Sequence, residues 1–158
     1  MNWDAIGAIG EIIGAAAVVV SLIYLAVQIR AQLQESRLAA IFDISTTYRE
    51  SITALRDPGL AKLFVRGKDD YEQLEPEEKV QYVSLIQGFL RVWETAYYQH
   101  RDSRLEDNIY EGIVRQLSAL LTLKGGRQVW ELRKEFFSEQ FRDYVDNIDP
   151  TQQKEVTW

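Results

Sequence analysis

One histidine, His100, no cysteine and a scatter of paired carboxylates are the side chains with which this sequence could do chemistry. A di-iron site in a helical bundle takes Glu-x-x-His pairs from facing helices. His100 has Ala96 and Tyr97 four and three residues before it, where glutamate is needed, and no second histidine exists. Without cysteine there is no thiolate nucleophile, zinc cage or thiolate haem ligand. A serine triad would have to use His100, yet no Gly-x-Ser-x-Gly turn presents a nucleophile. "KGGR", Lys124 to Arg127, lacks the Gly-Lys-Ser/Thr ending of a phosphate loop. The acid pairs Asp69–Asp70 and Glu77–Glu78 read as solvated or as partners of helix dipoles. No cofactor and no metal is expected, and catalysis by carboxylates alone is the one enzymatic alternative left. His100 itself reads as a hydrogen-bonded residue at the end of a buried helix.

The remaining ionisable group of interest is Glu11, set in "GAIGEIIGAAAVVVSLIYLAVQIR", Gly7 to Arg30. From Ala5 to Ile29 it is the only charged residue, and all 18 Lys and Arg fall at Arg30 or beyond. As a helix this run measures about 37 Å, against a hydrocarbon core of about 30 Å, so it predicts a transmembrane segment within residues 1–30. A signal peptide fits less well, because no Lys or Arg precedes the run and its apolar stretch is longer than usual. Trp3 marks one interface. Arg30 and Arg37 flank the other, which predicts the N-terminus outside and the remainder in the cytoplasm.

On that helix Gly7, Gly10, Gly14, Ala17 and Ser21 fall at alternating spacings of three and four, forming one ridge of small residues that extends towards Tyr24 and Gln28. In lipid, helices meet through close backbone packing along such ridges. Glu11 sits at the ridge's edge. Two readings follow: Glu11, with Gln28, bonds between associated helices or lines a polar path, or the hydrocarbon starts near Ile12 and Glu11 reaches headgroup water.

Beyond the span, residues 31–148 read as a helical bundle and 149–158 as a polar tail. Leu38, Ile41, Ser45, Tyr48, Ile52 and Leu55 suggest one stripe on a helix continuing from the membrane, ended by "DPG" at Asp57 to Gly59. A short helix, "LAKLFVRG", follows. Pro76 with three acids starts a central helix whose two stripes, Val83–Ile86–Leu90–Trp93–Tyr97 and Tyr82–Leu85–Phe89–Val92–Ala96, predict a wide buried face. A third soluble helix covers Glu106 to Leu123, with Ile109, Ile113, Leu117 and Leu120 inward, and "KGG" at Lys124 to Gly126 as its stop. A fourth runs from Arg127 to about Asn147 through Trp130, Phe137, Phe141 and Tyr144. Most of the aromatic residues read as core rather than as a ligand cage. Tyr98 falls off both stripes, and an exposed tyrosine there would point to an interface. No long apolar–polar alternation suggests a strand, so the predicted fold is all-α.

The net charge of −6 without a basic cluster argues against nucleic acid as a partner. "MNWDAIGAIGEIIGAAAVVVSLIYLAVQIR" together with "GGRQVWELRKEFFSEQFRDYVDNI" resembles a group of small single-span bacterial membrane proteins with no assigned active site. That resemblance implies a bacterial cytoplasmic membrane and transfers no residue role. The expected function is a non-enzymatic, membrane-anchored helical protein that forms a homo-oligomer or joins another membrane protein as an accessory or scaffold subunit. The alternatives are an oligomeric channel with Glu11 near its mouth and a membrane-bound enzyme using carboxylates.

Overall fold

Helix follows the sequence signals through most of the chain. The computed structural model describes residues 3–148, except the side-chain surroundings of residues 4–9; the polar tail expected at 149–158 lies outside the described residues. Among the described residues there are six α-helices and no strand: α1 Trp3–Ala54, α2 Pro58–Asp69, α3 Pro76–Arg101, α4 Asp107–Thr122, α5 Lys124–Arg133 and α6 Glu139–Asp146. Single 3-10 turns at Tyr71–Gln73 and Lys134–Phe136 separate α2 from α3 and α5 from α6. The chain divides into two compact units, Met1–Ala39 and Ala40–Trp158. The expected continuation of the apolar segment into the first soluble helix is present, as α1.

The helix ends follow local chemistry. Pro58 sits in the first turn of α2, and Asp57 Oδ1 caps it by accepting from the Leu60 N–H at 2.8 Å. Pro76 opens α3, where the Glu75 N–H donates to Glu78 Oε2 at 3.3 Å. At the other end of α3 the Arg104 N–H donates to Gln99 O and the Ser103 N–H to His100 O, both at 2.9 Å. These bonds close the helix in a Schellman arrangement and put Ser103 in the left-handed region, φ 58°.

In the second unit α3 is central. Both of its expected stripes are buried, with Tyr82, Ile86, Leu90 and Ala96 fully enclosed and Tyr97 partly so. Against it pack Leu63 of α2, Leu117, Leu120 and Leu121 of α4, Val129 and Trp130 of α5, and Phe141 and Val145 of α6. Trp130 joins α5 to α6 twice: its ring lies edge-on to Phe141, and its Nε1–H donates to Asp146 Oδ1 at 2.8 Å.

Three expectations need correction. The inward line of α1 is rotated from the expected stripe: Ala40 and Ile44 are buried, whereas Leu38 and Ile52 are exposed. The "KGG" stretch begins α5 instead of stopping the preceding helix. Gly125 and Gly126 are both buried and neither has positive φ. They serve close approach: a Cβ on Gly125 would overlap Gly67 O, and one on Gly126 would overlap Leu120 O. Finally, the helix expected over Arg127 to Asn147 is broken at Lys134–Ser138, because Ser138 turns towards α3 to meet Glu94.

Candidate functional site

The first candidate is the outer part of α1. Every residue from Gly10 to Glu35 is exposed, including Gly14, Ala17 and Ser21 of the small-residue ridge, Glu11, Gln28 and Arg30; Arg37 is exposed beyond it. A Cβ added at Gly10 or Gly14 meets nothing within 4 Å. Gly7 lies on the same helix, within the stretch whose surroundings are not described, and Trp3 is exposed at its start. Two polar side chains are satisfied inside the helix. Ser21 Oγ donates to Ala17 O at 2.8 Å, and Gln28 Nε2 donates to the Tyr24 hydroxyl at 3.0 Å. Such internal partners are what a polar group requires where water is absent. Among the described residues α1 is the one helix long and apolar enough to cross a membrane.

The polar clusters of the second unit tie helices together. Asp70, read from sequence as solvated, is a hub. Its Oδ2 accepts from Lys124 Nζ at 2.5 Å and from Gln73 Nε2 at 3.3 Å, and its Oδ1 from Gln128 Nε2 at 3.0 Å and from the Glu72 N–H at 3.1 Å. The Lys124 ammonium, and next the Gln128 amide, hold the Asp70 carboxyl down at about 2. Gln128 also accepts from the Tyr71 N–H at 2.9 Å, so this corner of the bundle is pinned to α5. A cleft of about 420 Å³ lies alongside, with Lys124 and Arg127 offset by Glu72 and Glu131. That balance of charge selects no anion or cation.

At the opposite end, Glu94 Oε1 accepts from the Ser138 N–H at 3.0 Å and from Ser138 Oγ at 2.8 Å, while Oε2 accepts from Arg91 Nη1 at 2.7 Å. Burial raises the Glu94 carboxyl, but these donors outweigh it and hold it below the usual range. Tyr98 belongs to the same knot. Its hydroxyl donates to Ser138 Oγ at 2.6 Å and Arg101 lies over its ring at 4.4 Å, so Tyr98 is a half-buried intramolecular contact and lacks the exposure that would point to an interface. His100 is held as expected at the helix end, with Nε2 2.9 Å from Asp107 Oδ1 and its ring stacked on Tyr110 at 4.0 Å. Among the described residues no three His, Asp or Glu side chains converge to hold a metal ion.

The sequence reading missed a third feature, a pair of apolar cavities between the inner end of α1 and helices α3 and α4. One, of about 150 Å³, has Ile41, Ile44, Val92, Leu105, Ile109 and Ile113 in its wall, with Ser45 and Gln116 as polar members. The other, of about 160 Å³, is walled by Ile52, Leu55, Phe64, Phe89 and Leu120. Tyr48 and Trp93 line both. The helical stripes that carry these residues were visible; the imperfect fit between them was not.

Comparison of the chain with models of protein families, with curated proteins and with solved structures finds no match. The class of molecule therefore rests on the fold: an all-α chain whose long first helix has a membrane-length apolar segment.

Proposed function

We propose that the protein is a single-span membrane protein without enzymatic activity that assembles with copies of itself through the outer part of α1, and so presents several helical domains on one membrane face. The observation carrying this reading is the continuous exposure of α1 from Gly10 to Glu35, apolar down to Ile29. Apolar surface on that scale calls for lipid or a partner. Within lipid, the open backbone at Gly10 and Gly14 admits a neighbouring helix at close range. Arg30 and Arg37 favour a cytoplasmic domain. The resemblance of both chain ends to single-span bacterial proteins supports the bacterial cytoplasmic membrane as the location. Lipid and a second copy of the chain are the partners on this reading.

Native mass spectrometry of the full chain in lipid nanodiscs tests it. A defined multimer that falls to monomer in Gly14→Leu, with insertion unchanged, is the expected result. A monomeric wild type would overturn self-assembly and redirect attention to a different membrane protein as the neighbour of α1.

A further inference from the structure

We infer that the seam between the inner end of α1 and helices α3 and α4 is a binding site for a slender, uncharged lipophile: an alkyl or isoprenoid-like chain ending in a hydroxyl or carbonyl group. The inference concerns the second unit alone and does not depend on whether copies of α1 associate.

Four observations carry it. First, there are two partly open, mostly apolar spaces of about 150 and 160 Å³, comparable in size to cavities that accept small apolar molecules. Second, their walls carry no charged side chain, so an ionised ligand would lie there unpaired, while an alkyl chain would restore the dispersion contacts that a void forfeits. Third, Tyr48 and Trp93 belong to both walls, so an occupant reaching from one space into the other must be narrow enough to pass between or beside two flat rings. Fourth, the polar members are grouped: Ser45, which is exposed, and Gln116, which is half-buried, line the first space alone, while the second has no residue with a polar group beyond the shared Tyr48 and Trp93. The ligand's polar end therefore belongs beside Ser45 and Gln116, and its tail beside Phe64, Phe89 and Leu120.

The seam is also the part of the bundle best able to open. On α1 beyond Ala39 only Ala40 and Ile44 are fully buried, whereas α3 buries nine residues. Ile52 at the second space is 41% exposed, which offers an entrance that does not require the α3 core to be disturbed.

Photolabelling of the full chain in lipid nanodiscs tests the site. The probe is decanol carrying a diazirine on its chain, supplied in one arm from water and in the other preloaded in the bilayer, with labelled peptides mapped by mass spectrometry. The lipid-facing residues from Gly10 to Ile29 provide the internal reference. Label on peptides containing Ile44, Tyr48, Trp93 or Leu120 in either arm supports the site, and the arm that delivers it identifies water or membrane as the source. Ile113→Trp and Leu120→Trp, which fill the two spaces, should abolish seam labelling while the label on the span persists. Should either variant fail to fold by circular dichroism, a tryptophan at an exposed position of the same space replaces it: Ser45→Trp for the first space and Ile52→Trp for the second. Label confined to the span, or seam label undiminished in folded cavity-filling variants, overturns the assignment.

Discussion

Gly125 of α5 lies against Gly67 of α2 so closely that a Cβ on Gly125 would overlap the Gly67 carbonyl oxygen. A Cβ on Gly67 would in turn run into the ring of Tyr82, which is fully buried beneath the crossing. Backbone cannot rotate aside as a long side chain can, so Gly125→Ala must push the two helices apart. We predict a loss of about 1–3 kcal/mol, the usual range for overpacking in a close-packed interior. Gly112→Ala is the control, because its Cβ would meet only the Arg115 guanidinium at 3.8 Å. Thermal unfolding of both variants should lower the midpoint for Gly125→Ala and leave Gly112→Ala at or slightly above wild type.

The same crossing predicts a change of opposite sign. The Tyr82 hydroxyl is buried there with no hydrogen-bond partner among the described residues, and burial pushes its pKa up. Removing an unsatisfied polar atom while keeping the ring's shape is neutral or stabilising, by up to about 1 kcal/mol. Tyr82→Phe should therefore melt no lower than wild type, whereas Tyr82→Ala, which deletes the ring, should lose about 3–5 kcal/mol. A clear fall in midpoint for Tyr82→Phe would mean that the hydroxyl is engaged after all.

How far the sequence could be read follows from where each signal is stored. The two stripes of α3 were legible because a helix buried on a wide face must repeat apolar residues at three and four, and no distant contact can alter that period. The apolar length of α1 was legible for the same local reason. The "KGG" stretch was misread because glycine has two unrelated uses. One, a left-handed stop, is local; the other, close approach to Gly67 and Leu120, depends on a helix distant in sequence and on the preceding turn. The break before α6 was illegible for a similar reason. Ser138 lies inside an apolar pattern that continues through Phe137 and Phe141, and nothing local shows that its N–H and hydroxyl donate to Glu94 on α3. The rotation of α1 was hidden because Ala40 is small and Leu38 is large, so hydropathy alone points the wrong face inward.

Ser103 provides a third prediction. It holds φ 58° at the Schellman turn closing α3, a conformation that costs a non-glycine residue about 1–2 kcal/mol. Glycine relieves that cost but adds roughly 0.4–1 kcal/mol of unfolded-chain entropy. Ser103→Gly should leave a net stabilisation of about 0–1.6 kcal/mol. Ser103→Val, with a branched Cβ at the same angle, should be destabilising. Melting points of the two variants should lie on opposite sides of wild type, and finding both below it would show that the hydroxyl, rather than the backbone angle, governs this turn.

Acid should loosen the corner at Asp70 before the apolar core gives way. In the folded protein Lys124 and Gln128 hold the Asp70 carboxyl at about 2, below the ordinary value of 3.8. Because the folded value is the lower one, the unfolded chain binds the proton first as pH falls. The contribution of Asp70 is thus complete above about pH 4 and disappears as pH drops towards 2. Glu94, held down by Ser138 and Arg91 despite its burial, acts in the same direction from the ordinary glutamate value downward. Melting curves of wild type and Asp70→Asn should therefore differ most at neutral pH and converge on acidification, since the amide keeps the shape of the carboxylate but neither its charge nor its titration. Parallel curves from pH 7 to 2 would show that the Lys124 pair contributes nothing to the fold. Convergence would show that the α2–α5 crossing is held by a titrating contact at its rim as well as by the glycine fit at its centre.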